Sequence, residues 1–418
     1  MSIIEATNSF SILPDSVLTA DDLNIQSAKL LQPFYPDQGS SLFSNGAVGG
    51  KNQITFTLGS ANCSMLPTES YLEFDVKANA STTATLAGDA SCFFNRMRVV
   101  TSRGVVLVDN DEMALFQYNL NVNTIDSAQK ACRWNSYMDQ LNISDVSSAA
   151  FTATSRHVVM PLPGSVWAQI RNLPLSVMGQ VRIIFDLAPT FQVFSLCDTV
   201  SYRYQIDNPV LKVLLVPLTP MYQDKLISLA RQGGLLLNYS SEYFTRQTCT
   251  ATSNSITIQR ALKSARVLTV LPKLSSEDLT YNLSYLKTIS PTGGLISAQA
   301  RAGSDFYPSS AMTTVEQVYV ENMKAYKLWG DLDAGNQVTR ANFSQAVNTS
   351  TDQKLSSKFS VVIDLSKGSI NTGINTINSA VQFIYNVETA VATLDAFCYL
   401  TYDSVVIVKS PDQIFIDF

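Results

Sequence analysis

Histidine is almost absent, His157 being the single one in 418 residues. A Ser-His-Asp relay would have to run through it alone, beside the strand-like Val158-Val159-Met160, and a structural histidine is the simpler reading. No H-E-x-x-H, G-x-x-x-x-G-K-[ST] or G-x-S-x-G run occurs, so zinc-protease, P-loop and ester-hydrolase chemistry lack their usual carriers. Charge is scarce too. Asp, Glu, Lys and Arg make up 15% of the chain, against roughly 25% in an average soluble domain. No run of Lys or Arg appears and the net charge is −5, which argues against a protein that coats nucleic acid. No stretch reaches the roughly 18 apolar residues of a membrane span. The opening residues lack the basic region and continuous apolar core of a secretory signal. The six cysteines, Cys63, Cys92, Cys132, Cys197, Cys249 and Cys398, form no C-x-x-C pair and have no histidine at metal-ligand spacing. In a chain expected to fold in a reducing cell interior they read as small buried thiols.

What fills the space left by charge is Ser, Thr, Asn and Gln. A polar, weakly charged surface suits faces that copies of the same chain will cover, since interface cores are depleted in Lys and Glu. A secreted β-sandwich shares this bias.

Along the chain, residues 1–48 show no periodicity and read as an N-terminal arm. Period-two alternation then begins. Ile54, Phe56 and Leu58 alternate with polar residues, as do Leu72, Phe74 and Val76. A hairpin follows over Phe94–Thr101 and Val105–Val108, turning at Ser102-Arg103-Gly104. Asp109, Asp111 and Glu112 then stand where a helix start favours negative charge, and Met113, Phe116 and Leu120 recur at helical spacing. The same three acids could be read as paired carboxylates or a Ca²⁺ site, but the helix start needs no extra assumption. Strands resume near His157, at Val181–Phe185 and at Val210–Val216, and Pro217 and Pro220 close this half.

The second half repeats the plan. Strands are expected at Ile256–Ile258 and Ala265–Leu271, and a helix from Ala311 to Trp329 with Met312, Val315, Tyr319, Met323 and Tyr326 on one stripe. Lys324, Lys327 and Gly330 supply its C-terminal signals. Further strands are expected at Phe359–Leu365, Val381–Tyr385, Phe397–Thr401 and Val405–Val408. Val158–Leu162 corresponds to Val361–Leu365, and Val181–Asp186 to Val381–Asn386, at a step of about 200 residues, the size of one domain core. Each half therefore reads as eight strands with one helix after the fourth, an all-β architecture of two tandem jelly rolls. The boundaries are 1–48 for the arm, 49–220 for the first roll, and 221–418 for the second with a short C-terminal tail. Loops at 125–155 and 274–310 are the candidate outer towers.

In this order and spacing the chain resembles the double jelly-roll major capsid proteins of DNA viruses. The segments that carry the likeness are Phe94–Asn119, a hairpin leading into a flanking helix, and Leu173–Leu187, similar to the late strands of a first jelly roll. The resemblance covers about residues 50 to 410 and rests on pattern rather than invariant residues. It implies upright jelly rolls and a homotrimeric, pseudo-hexameric capsomer in an icosahedral shell, with towers facing outward. The expected location is the virion capsid, after synthesis and assembly inside the host cell. The expected partners are neighbouring capsomers and minor capsid or penton proteins. The arm would contact a neighbouring capsomer, a minor protein or an inner membrane. No sequence-specific nucleic-acid binding is implied. No catalytic motif transfers, so no catalytic, cofactor-binding or metal-ligating residue is assigned. Two other readings fit the composition. One is a β-sandwich carbohydrate-binding or carbohydrate-active protein, with Trp134 and Trp167 as candidate stacking platforms, against which all three tryptophans, Trp329 included, read as anchors in cores or subunit contacts. The other is a receptor-binding spike with Tyr-rich loops.

Overall fold

The computed structural model describes residues 29–39, 42–45, 50–59, 62–78, 85–86, 90–125, 156–196, 203–274, 286, 288–291, 293–330, 338, 343, 358–366, 373–391 and 394–418. In the first half the strands are β1 (Leu30–Phe34), β2 (Gln53–Leu58), β3 (Cys63–Ala78), β4 (Thr85–Leu86), β5 (Phe94–Thr101) and β6 (Val106–Asn110). Helix α1 (Met113–Thr124) follows, then β7 (Arg156–Pro161), the single turns α2 (Val166–Gln169) and α3 (Leu175–Met178), β8 (Val181–Leu187), β9 (Phe194–Leu196) and β10 (Tyr204–Pro217). Helix α4 (Pro220–Gly233) joins the halves. The second half runs β11 (Leu235–Thr248), β12 (Ser253–Ile258), β13 (Ala265–Leu274), β14 (Leu295–Ala302), β15 (Asp305–Met312), α5 (Val315–Ala325), β16 (Val361–Asp364), β17 (Val381–Val387), β18 (Leu394–Ser410) and β19 (Gln413–Asp417).

Each half is a sandwich of two four-stranded antiparallel sheets. The first half has the orders β1-β10-β3-β7 and β2-β8-β5-β6. The second has β11-β18-β13-β16 and β12-β17-β14-β15, with β19 added against β18. Setting aside the small β4–β9 pair, the two halves match strand for strand, and each has its helix between the fifth and sixth strands. This is the jelly-roll order, twice. Both pairs of segments matched in the sequence hold equivalent places: β7 and β16 are edge strands, while β8 and β17 are interior ones.

Several expectations need correcting. The stretch read as arm contains the first strand of the first jelly roll. β1 pairs with β10 from Leu30↔Leu215 to Phe34↔Leu211, and Phe43 is fully buried. Five residues with Pro33 among them are too short for alternation to show. The helices consequently follow the fifth strand of each roll, not the fourth. Phe397–Thr401 and Val405–Val408 are one strand, because Tyr402, Asp403 and Ser404 stay paired with β11 through the polar interval. The proposed tower over 274–310 holds β14 and β15 in its second part. The tower at 125–155 lies outside the described residues apart from Ile125. The linker helix α4 was not anticipated, although Thr219 accepts from the Tyr222 N–H at 3.3 Å and Pro220 opens the helix as an N-terminus prefers. Gly234 ends it at φ 84, where a Cβ would lie 2.5 Å from Ile407.

The second jelly-roll helix is shorter than the sequence pattern suggests. Ala311 and Met312 belong to β15, and Thr314 caps the start by accepting from the Gln317 N–H at 3.2 Å. Lys327 lies past the end at φ 60, so Lys324 alone sits in the last turn. The buried face is Val318 and Asn322, with Val315 and Tyr319 beside them.

Candidate functional site

The two sandwiches are joined through buried contacts. Helix α1 wedges between them. Its Met113 lies in the first core, Leu115 packs with Phe397 and Tyr399 of β18, and Val122 reaches the second core. A helix buried on most sides shows no clean stripe, which is why Met113, Phe116 and Leu120 identified the helix but not its buried face. Aromatic rings close the wedge: Phe116 and Phe244 stand 5.0 and 5.1 Å from the Tyr399 ring. The Tyr399 hydroxyl donates to the Glu112 carbonyl at 3.1 Å. The Tyr239 hydroxyl donates to the Leu107 carbonyl of β6, and Asn119 donates to the Tyr326 hydroxyl at 3.1 Å. The far ends of β11 and β18 enter the first core outright, through Leu235, Leu237, Val406 and Val408.

Glu242, unremarked in the sequence, is a buried carboxyl in this junction. Ser165, at the start of α2 in the first sandwich, donates to it. Burial pushes its pKa up to about 7 and the serine bond opposes the shift. The same burial raises the phenols of Tyr239 and Tyr399 above their ordinary value, keeping both as donors. Nothing near Glu242 in the chain marks it; only the docking of the other sandwich removes it from water.

The residues weighed as chemical candidates do not converge. His157 is exposed on a sheet face, where Asp75 stands opposite it and meets its Nδ1 at 2.9 Å. Asp109 is held by Arg96 through two bonds of 2.6 and 2.7 Å. Asp111 accepts the Glu112 N–H at 3.0 Å, and Glu112 is the N-cap of α1 in a left-handed conformation without a side-chain cap. The acids therefore precede the helix by turn geometry more than by dipole stabilisation. Trp167 is buried, donating to the Met97 sulfur at 3.1 Å, whereas Trp329 is exposed beyond α5. Trp134 lies outside the described residues. Cys63, Cys249 and Cys398 are free, Cys92 is buried, and burial raises the Cys249 thiol to about 11; Cys132 and Cys197 lie outside the described residues. Among the described residues no group of His, Cys, Asp and Glu could hold a metal, and no helix is long and apolar enough to cross a membrane.

The junction has a direction. The first sandwich contributes the edge strand β6 and α1; the second contributes β11 and β18. In the repeat, β15 with α5 corresponds to the former and β1 with β10 to the latter. Among the described residues these surfaces are largely uncovered, α5 meeting the first sandwich at its C-cap, where Tyr326 accepts from Asn119. Between β15 and α5 lies an open groove of about 560 Å³, lined by Pro308, Met312, Val320 and Glu321 among others. Leu31 on β1 and Tyr35 just past its end are 43% and 68% exposed.

No family model matches the chain, and no curated protein does. Solved structures do. The Faustovirus major capsid protein superposes with a TM-score of 0.59 at 10% identity, covering 91% of this chain and 90% of that one. PBCV-1 VP54, fitted into a reconstruction of the virophage Sputnik, gives 0.57 at 11% identity, with 96% and 99% covered. A chain of the Sputnik virophage structure gives 0.56 at 13%, with 96% and 91% covered. At such identities the likeness is one of fold, and it extends over the whole double jelly roll.

Proposed function

We propose that this chain is the major capsid protein of an icosahedral virus, a non-enzymatic shell subunit that assembles as a homotrimer. The observation that carries the reading is the directional junction used once within the chain, with its counterpart surfaces on β15–α5 and β1–β10 left largely uncovered. A heterologous contact that repeats generates a ring or a filament. Two repeats per chain make a ring of three chains a ring of six jelly rolls, a hexagonal tile able to cover an icosahedral facet. The apolar side chains Leu31 and Tyr35 on one open face, and the groove beside α5 on the other, supply complementary anchors of the kind that interfaces use. The solved structures of the same fold include a major capsid protein from another virus. In this reading the chain resides in the virion. Its partners are its own copies, neighbouring capsomers, and minor or penton proteins where the lattice changes symmetry. The acidic balance suits a shell that encloses its genome without coating it.

The test is the solution mass with negative-stain imaging. A particle of three times 45.8 kDa with a hexagonal outline is expected. Leu31→Asp with Tyr35→Asp should convert it to folded monomers. A wild-type protein that stays monomeric at high concentration and binds or cleaves glycans would overturn the reading in favour of a carbohydrate-active sandwich.

A further inference from the structure

The first sandwich grips the edge strand β11 from both sides. Tyr239 and Ser241 turn one way, the tyrosine donating to the Leu107 carbonyl and the serine to Asn110 of β6 at 3.2 Å. Glu242 turns the other way, as strand alternation requires, and meets Ser165 at the start of α2. Between them Gln169 of α2 covers the backbone of Ser240, its Oε1 accepting the N–H at 2.7 Å and its Nε2 donating to the carbonyl at 3.4 Å. Consecutive residues of one strand are thus bonded across the junction, and one of them is a carboxylic acid.

That acid is buried, and Ser165 is its one side-chain partner among the described residues. The ionisable groups on the elements around it are engaged elsewhere. On β18, Asp403 pairs with Arg266 at 3.1 Å. Tyr402 on the same strand is a phenol raised mainly by burial, with Arg260 opposing the shift and Glu242 adding to it. Arg260 itself lies over the rings of Tyr243 and Phe418. On β6, Asp109 pairs with Arg96 at 2.6 Å. Asp111 and Glu112, before α1, act on Tyr399, whose phenol burial has already raised. Helix α2 carries no titratable side chain. The seam therefore suits a neutral carboxyl. A carboxylate there would keep a single hydroxyl donor and no cation, which is the costly way to bury a charge.

We propose that the Glu242–Ser165 contact is a proton-operated latch on the junction between the sandwiches, closed while the carboxyl holds its proton and opened to water once it is charged. The opening is local. Leu235, Leu237, Val406 and Val408 stay in the first core and keep the sandwiches joined, while Trp167 keeps α2 on its own sandwich. What is released is the contact of α2 with β11. The closed latch holds its proton up to about pH 7, the open one up to about 4.5. The opening constant therefore rises about tenfold per pH unit between those values, about 300-fold in all, and is level above them. The consequence for assembly, a subunit stiffer in mild acid and looser at neutral pH, rests on the reading above; the latch needs only the single chain.

Hydrogen exchange on the full chain, corrected for its intrinsic pH dependence, tests the latch through the Ser240 amide, which Gln169 covers. From pH 5 to pH 7 its protection should fall by about tenfold per unit, while that of β17, in the opposite sheet, stays constant. Glu242→Gln should abolish the pH dependence, and Gln169→Ala should lower the protection of Ser240 at every pH. An equal fall in β17 would mean global unfolding and overturn the latch. So would a slope that survives in Glu242→Gln, or protection unchanged in Gln169→Ala. Solution mass on the same preparation keeps the two readings apart. A trimer without the pH-dependent release sinks the latch alone, and a monomer that shows it sinks the trimer alone.

Discussion

Glu242 shows what one residue at the junction does to stability. Its folded pKa, about 7, lies above the unfolded value of about 4.5. Between those two pH values the folded state holds the proton more tightly, so stability falls as pH rises through the window and levels off above it. The loss is of the order of 3 kcal/mol, from about 1.4 kcal/mol per pH unit. The melting temperature should therefore decline from pH 5 to pH 7.5, and Glu242→Gln, which can still accept from Ser165, should flatten that part of the profile. An unchanged slope in the variant would assign it to other groups. Leu115 offers a second reading at this scale. It is fully buried between the sandwiches, and Leu115→Ala should cost about 2–5 kcal/mol in chemical denaturation.

At the scale of elements, the two helices are anchored by different means. α1 is gripped on several sides by apolar contacts, whereas α5 is tied to its sandwich by a buried amide. Asn322 donates to the Ser360 carbonyl at 2.9 Å and accepts the Val362 N–H at 2.7 Å. Asn322→Ala would leave both backbone groups unpaired, at a cost of about 1–3 kcal/mol each. Thr314→Ala, which removes only the N-cap, should cost about 1 kcal/mol. Equal losses in the two variants would contradict the anchoring role of Asn322. The first strand makes a sharper case. Cutting the chain before Lys29 should leave fold and trimer intact. Cutting it before Gly49 removes β1, the fully buried Phe43, and the hydroxyl of Ser44 that donates to the Tyr204 carbonyl at 2.5 Å. The longer truncation should lose more than about 3 kcal/mol or fail to fold.

For the whole molecule, the two sandwiches behave as one body because the ends of β11 and β18 complete the first core. A single cooperative unfolding transition is expected, and calorimetry that resolves two would contradict it. Reducing agent should leave the melting temperature unchanged, since Cys63, Cys249 and Cys398 are free thiols. A drop of several degrees would reveal a disulfide, worth about 2–4 kcal/mol.

The sequence alone was enough to read the class of fold, its duplication and the helix in each half. Strands such as Val181–Leu187 and Val381–Val387 alternate because one face is buried, and alternation is local information. The scarcity of charge and the single His157 were equally plain. Tertiary structure decided the rest. β1 is too short to alternate visibly and becomes a strand because β10 offers it an edge. The continuity of β18 through Tyr402–Ser404 depends on the register of β11. α1 looks like an ordinary surface helix until the second sandwich covers it, and Glu242 acquires its raised pKa only then. The junction brings together residues far apart in the chain. Periodicity reports which face of an element is buried, but what buries it is settled by packing between elements.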